Sequence, residues 1–302
     1  MKKESAMNGK KRIAAGLLAL VLLLAAVPAL AEDTATYQGA FTAPLDAEYL
    51  DLGDTRAADL TALISYLRQF PNLKKVDMFA TPVTRAQIET LVDALPDVEF
   101  GWTIRISEHT VRTDATAFST LHNNTSPWHS SRDFEVLKYC KNLLALDIGH
   151  NEIKDLSFLY DLPQLKVLIV ACNQINDITP VGSLKDLEYL ELFKNNIHDI
   201  SCLADLTNLI DLNICFNRIA DLTPIMGLTQ LERLWIFNSN NYSDDVPVDP
   251  AVVAGLREAL PNTYLDSKSW STQGGWRDHE RYFIINDMFH SGVYQPFPGY
   301  ED

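Results

Sequence analysis

The residues best suited to chemistry in this chain of 302 residues are seven histidines and an excess of acids, 40 Asp and Glu against 25 Lys and Arg. The histidines fall at His109, His122, His129, His150, His198, His279 and His290. No pair has the H-E-x-x-H spacing that puts two imidazoles on one helix face. His122 and His129 share a polar loop, and that separation does not by itself specify a metal pair. His279 lies in Trp276-Arg277-Asp278-His279-Glu280-Arg281, a stretch dense in ionisable groups but without a spacing that defines a reaction. No G-x-S-x-G, P-loop or G-x-G-x-x-G occurs. The sequence therefore reads as non-enzymatic, with no catalytic residue, no metal and no cofactor. A hydrolase using His279 and its acidic neighbours is the least supported alternative.

Two further sets of potential ligands have structural readings. Asp155, Asp177, Asp199 and Asp221 recur every 22 residues and would line one edge of a stack, as calcium ligands can. Aspartate in such a place also accepts turning backbone N–H groups, and that reading is preferred. Cys140 falls on a core position and Cys202 in a turn. Cys172 and Cys215 lie two strands apart, about 10 Å at the usual strand spacing. A disulfide needs Cα atoms within about 7 Å. Four free thiols are expected, and no C-x-x-C spacing suggests a metal.

The elements that position these residues are set by an asparagine ladder. Asn151, Asn173, Asn195 and Asn217 each close the phrase L-x-x-L-x-[LIV]-x-x-N, and a fifth copy ends in Ser239. The copies begin at Leu143, Leu165, Leu187, Leu209 and Leu231. Further aliphatics follow each Asn, and no single repeat can bury them alone. Stacked neighbours bury them in one column, with a short parallel strand per repeat. Each Asn amide is expected to bond turning backbone inside the stack, because buried N–H and C=O groups must be paired. Serine can satisfy fewer such groups, so the ladder should weaken at Ser239.

This phrase is the leucine-rich repeat signature, and its 22-residue form resembles that of bacterial internalins and of a eukaryotic phosphatase regulatory subunit. The continuation N-x-I-x-D-I-[ST]-P-L is nearly matched by Asn173 to Val181 and by Asn217 to Ile225. The stretches YLELF, RLWIF and GGWRDHERYF also resemble secreted repeat proteins of gut-type Firmicutes bacteria. The resemblance covers roughly residues 135–240. It implies an α/β fold, a leucine-rich repeat solenoid with parallel concave strands, and leaves the ligand open.

The flanking sequence has helical backs. Asp59 is placed to cap a helix through Leu60, Leu63 and Leu67, and Thr84 with Gln87 forms a capping box. Asp249-Pro250 starts a third helix before a last strand near Leu265. The terminal repeats are thus expected to be helix-backed and the central ones to have short turn or 3₁₀ backs. The ends read differently. Residues 1–31 carry a basic start, an apolar run from Ile13 to Val27 and the small-x-small site Ala29-Leu30-Ala31, the pattern of a secretory signal. The apolar run is short for a membrane span, which needs about 20 residues.

The expected organisation is a signal peptide over 1–31, then helix-backed repeats, a cap and a polar insertion over 32–134. Five regular repeats occupy 135–240, a capping repeat and aromatic tail 241–290, and a mobile end 291–302. Trp270, Trp276, Tyr282 and Phe283 of the tail are expected to pack over the end of the solenoid. Removing the leader takes away five basic residues and one acid, moving the formal charge from −15 to −19. Such a surface repels nucleic acid and anionic lipid.

Alternation along each strand sends every second residue to the concave face. One column there is Ala145, Val167, Tyr189, Asp211, Arg233, and the next is Asp147, Ile169, Glu191, Asn213, Trp235. Phe193, Phe216 and Phe237 follow. Ile169, Tyr189, Glu191, Phe193, Asp211, Asn213, Phe216, Arg233, Trp235 and Phe237 are therefore the expected ligand-binding residues, because an exposed aromatic patch marks an interaction site. The alternative is that the C-terminal tail folds back over this face. The expected function is a secreted, non-enzymatic module for a protein or peptide, with no nucleic acid and no stable membrane insertion. A structural, cell-wall-associated assembly protein is the alternative.

Overall fold

A computed structural model describes residues 33–120, 128–239, 248–269 and 275–300. The leader, His122 and Trp270 lie outside the described residues. An antiparallel pair, β1 (Thr34–Tyr37) and β2 (Phe41–Pro44), opens the fold. Then come β3 (Tyr49–Asp51), α1 (Leu60–Leu67), β4 (Lys75–Asp77), α2 (Arg85–Ala94) and β5 (Glu99–Gly101), with β3, β4 and β5 in a parallel sheet. Both caps form as the sequence requires. Asp59 accepts from Ala62 N–H at 3.0 Å, and Thr84 and Gln87 satisfy each other's backbone.

The stack is then interrupted. β6 (Thr103–Ile106) and β7 (His109–Arg112) form an antiparallel hairpin absent from the sequence reading, with Ile104, Ile106 and Val111 buried. Parallel pairing resumes with β8 (Ala117–Ser119), β9 (Ala145–Asp147), β10 (Val167–Ile169), β11 (Tyr189–Glu191), β12 (Asp211–Asn213) and β13 (Arg233–Trp235). After α3 (Pro250–Ala259) comes β14 (Tyr264–Asp266), the last of seven strands lying side by side in chain order. The register is one repeat per strand, with Leu146, Leu168, Leu190, Leu212, Leu234 and Leu265 directly opposed. The backs of the repeats from β8 to β12 are 3₁₀ turns, and the terminal repeats are helix-backed.

Each Asn works as a staple between repeats. Asn195 Nδ2 donates to Val170 O at 3.0 Å and to Leu192 O at 3.1 Å, and its Oδ1 accepts from Ile175 N–H at 3.1 Å. Asn217 repeats this one strand on, against Leu192 O, Ile214 O and Ile197 N–H. At the fifth position the backbone takes over: Ile219 N–H donates to the carbonyl of Ser239, whose buried hydroxyl has no partner among the described residues. The Asp ladder is a turn device. Asp155, Asp177, Asp199 and Asp221 each accept from the N–H two residues on, at 2.7–2.8 Å. Bonds from the hydroxyl and the N–H of Ser157, Thr179, Ser201 and Thr223 hold the four carboxyls below their ordinary pKa. None of the four cysteines forms a disulfide.

The tail departs from expectation. α4 (Glu280–Ser291) follows Trp276 and packs on β8 and β9, ending at Gly292 in the left-handed region. Beyond it the chain, expected to be mobile, runs on over the sheet. Tyr294 N–H donates to Thr116 Oγ1 at 2.8 Å, and Phe297 is buried. Among the described residues no helix is long and apolar enough to cross a membrane.

Candidate functional site

The concave face of the seven-stranded sheet forms a second apolar cluster, separate from the core inside the repeats. Ala145, Val167, Ile169, Tyr189, Phe193 and Trp235 of the strands and their ends meet Trp276, Ile285, Met288 and Phe297 of the tail. Trp276 sits between Tyr189 and Trp235, with ring centroids 5.3 Å and 5.2 Å away. Phe297 lies on the other side of Tyr189 at 6.4 Å. This corrects the expectation of an open patch. Ile169, Tyr189, Glu191, Phe193, Asp211, Asn213, Arg233 and Trp235 are all buried, and only Phe216 and Phe237 stay partly exposed. The physical reason is the apolar area of those rings. With its own aromatic tail tethered nearby, the face buries that area within the chain. Of the tail aromatics expected at the solenoid end, Trp276 lies on the concave face and Phe283 faces solvent.

Charge fixes the tail in register. Asp211 is fully buried, and two guanidiniums grip it. Arg233 donates from Nε and Nη2 at 2.8 and 2.6 Å, and Arg281 from Nε and Nη2 at 2.8 and 2.8 Å. Arg281 also donates to Glu232 Oε2 at 2.6 Å, and Tyr300 OH to Glu232 Oε1. Two acids and two arginines give a neutral quartet, which is how buried charges avoid the desolvation cost of standing unpaired. Arg233 further donates to the carbonyl of Trp276 at 3.2 Å, with its guanidinium 4.6 Å from that ring. These bonds tie strands β12 and β13 to residues 276–300.

Beside the quartet stands an acidic row. Glu191 accepts from Trp276 Nε1 at 3.0 Å, and burial raises its pKa against the opposing pull of Arg277 and that bond. Asp147 accepts from Gly149 N–H at 2.9 Å and from Ser119 Oγ at 3.3 Å. Burial lifts its pKa to about 6, the protein around it outweighing the part of the residue that still reaches solvent. Among the described residues, Glu191 Oε1, Asn213 Nδ2 and Trp235 Nε1, neighbours across β11, β12 and β13, have no hydrogen-bond partner.

His279 has a structural task. Its Nδ1 accepts from Arg281 N–H at 3.3 Å as the cap of α4, and burial together with Arg233 and Arg281 lowers its pKa. At the outer edge, Phe193, Phe216 and Phe237 form an edge-to-face row with 5.4 Å between successive rings. The sequence put Phe193 and Phe237 in one outward column and Phe216 in the next, and the structure brings the three rings into one row. Nothing in the sequence spacing marked Arg281 and Trp276 as its neighbours' cover.

A family model described as leucine-rich repeats in two copies matches residues 141–183 and 207–250. Among solved structures, internalin C2 of Listeria monocytogenes is similar at 26% identity, over 61% of this chain and 68% of that one, with a TM-score of 0.34. A second internalin of Listeria monocytogenes matches at 20% identity over 73% and 67%, with a TM-score of 0.35. A leucine-rich repeat protein of Leptospira interrogans matches at 20% over 67% of this chain and 50% of its own, with a TM-score of 0.38. Comparison with curated proteins gives no match. One repeat per parallel strand, 3₁₀ backs, the Asn staples and the repeat-model match together define the architecture: the chain folds as a leucine-rich repeat solenoid.

Proposed function

We propose that the chain is a secreted, non-enzymatic binding module that recognises a protein or peptide on the concave side of its solenoid. The observation that carries this is the Phe193–Phe216–Phe237 row. Phe216 and Phe237 remain partly open to water on a chain of net charge −15. Aromatic rings left at the edge of a covered apolar face are the surface a partner gains most by burying. The leader pattern over residues 1–31 supports export. Phe216→Ala with Phe237→Ala should lower capture of partners from extracellular extracts about tenfold or more, with circular dichroism unchanged. Undiminished capture would move recognition to another face.

A second reading is favoured by the way the tail is held. Residues 275–300 occupy the concave face as a peptide ligand would, with an aromatic anchor at Trp276 and an ion-paired clamp at Arg281. A partner that uses Ile169, Tyr189, Glu191, Asp211, Asn213, Arg233 and Trp235 must first displace this cover. Trp276→Ala would then raise capture. If capture is unchanged or lower, the buried face is not the recognition surface.

A further inference from the structure

The tip of the β6–β7 hairpin brings an acid and a histidine beside a histidine of the solenoid. Two residues, Ser107 and Glu108, connect the strands, with Ser107 at φ +54° and Ile106 opposite His109. Glu108 Oε1 lies 3.4 Å from His109 Nε2. His129 joins them from the entrance of the 3₁₀ turn Ser131–Tyr139, its ring centroid 5.5 Å from that of His109. One ligand atom from each of Glu108, His109 and His129 lies within 4.8 Å of the other two. His129 is the fixed member: it is buried, its N–H donates to Asn151 Oδ1 at 2.9 Å, and its carbonyl accepts from Glu152 N–H at 3.0 Å. Its ring also packs on Phe134. Glu108 and His109, with side chains 37% and 20% exposed, stand at the hairpin tip.

We propose that Glu108, His109 and His129 bind a divalent transition-metal ion, with Zn²⁺ the best fit. Two imidazole nitrogens and one carboxylate oxygen are a zinc donor set, whereas Ca²⁺ and Mg²⁺ require six or more ligands, nearly all oxygen. The 3.4 Å between Glu108 and His109 is the separation of two donors each about 2.0–2.1 Å from one tetrahedral ion. Three protein ligands leave a fourth position for water or a partner's side chain. The ion ties the hairpin, which interrupts the two parallel sheets, to Asn151 at the head of the asparagine ladder. The sequence showed only that His122 and His129 share a loop. His109 came from a hairpin that periodicity did not reveal.

The test is titration of the EDTA-treated full chain with ZnCl₂ by calorimetry, and with CoCl₂ by visible absorption. One ion per chain, the intense bands of four-coordinate Co²⁺ and a melting temperature that rises with Zn²⁺ are expected. Glu108→Ala with His109→Ala removes two donors from an exposed tip and should weaken binding about 100-fold or more, with circular dichroism unchanged. Loss of a merely supporting contact weakens metal binding only about 10–100-fold. His129→Ala should also abolish binding, and the double variant decides the matter if that chain does not fold. His290→Ala, which borders the same cleft as His109, should bind as the unaltered chain does. The assignment is overturned by the absence of saturable binding at one ion per chain, by undiminished binding in the double variant, or by loss of binding in His290→Ala.

Discussion

The two faces of the seven-stranded sheet are closed by different means. On the inner face, the strand leucines from Leu146 to Leu234 each oppose a counterpart 22 residues away, and every amide of the Asn ladder is satisfied by backbone of its own and the adjacent repeat. On the concave face, closure comes from one aperiodic segment that reaches 70 residues in sequence from Arg281 back to Asp211, and 85 from Trp276 back to Glu191. Three buried polar atoms there have no partner among the described residues. The inner face is built to propagate, since any repeat can stack on any other. The concave face is built once, for one occupant, and places where local rules are left unsatisfied are where function is sought.

The largest effect should come from breaking the concave side at its charge centre. Asp211→Ala leaves Arg233 and Arg281 buried with Glu232 as the remaining carboxylate within ion-pair reach of Arg281. Removing one partner of a buried charge set costs about 3–5 kcal/mol. A lowered urea midpoint together with faster proteolysis within residues 275–300 is expected, because the tail loses its clamp while the inner stack is untouched. A midpoint within about 0.5 kcal/mol of the unaltered chain, a change typical of surface positions, would mean that the quartet does not hold the cover.

The inner face can be probed by a matched pair. Asn195→Ala strands the Ile175 N–H, which has no other acceptor among the described residues, at a cost of about 1–3 kcal/mol. Its two carbonyl acceptors are buffered: Val170 O also receives Asn173, and Leu192 O also receives Asn217. Ser239→Ala removes a hydroxyl with no partner among the described residues, while the backbone carbonyl that serves Ile219 remains, so its effect should stay within about 0.5 kcal/mol. Urea melts of the two variants compare them directly. Equal losses would show that the Asn amides are not what couples the repeats.

The same contrast explains what could be read from the sequence. Strand positions, register, the Asn and Asp roles, the three predicted caps and the helical terminal backs all follow from local chemistry repeated at fixed spacing. The hairpin β6–β7 and helix α4 do not repeat. α4 is hard to see because the buried stripe Arg281, Ile285, Met288 begins with a charge, whose burial makes sense only once Asp211 is known to lie opposite. The concave aromatic column was legible and a tail folded back over it was the stated alternative, but which tail residues would cover it, Trp276, Arg281 and Phe297, was not. An alternating strand shows which residues leave the core and carries no sign of what they meet. Phe297 lies in a stretch with the composition of a loose end, and only its contact with Tyr189 gives it a place.

The smallest expected effect separates the faces by pH. Burial raises the Asp147 carboxyl on the concave side to about 6 from an ordinary value of 3.8. Between those values the folded chain holds a proton that the unfolded chain has lost, so this group's contribution to stability falls as pH rises through that window and stays lost above it. The Asp155, Asp177, Asp199 and Asp221 turns have the opposite sign. Their lowered pKa values add stability above the ordinary carboxylate range, and that stability disappears in acid. Asp147→Asn keeps an oxygen for Gly149 N–H while removing the charge. It should therefore raise stability at pH 7.5 by about 1–2 kcal/mol, discounted for the part of the residue that reaches solvent, and by much less near pH 4. Urea midpoints at the two pH values measure the difference. An equal shift at both would assign the gain to packing, and the concave carboxylate would no longer be a titrating load on the fold.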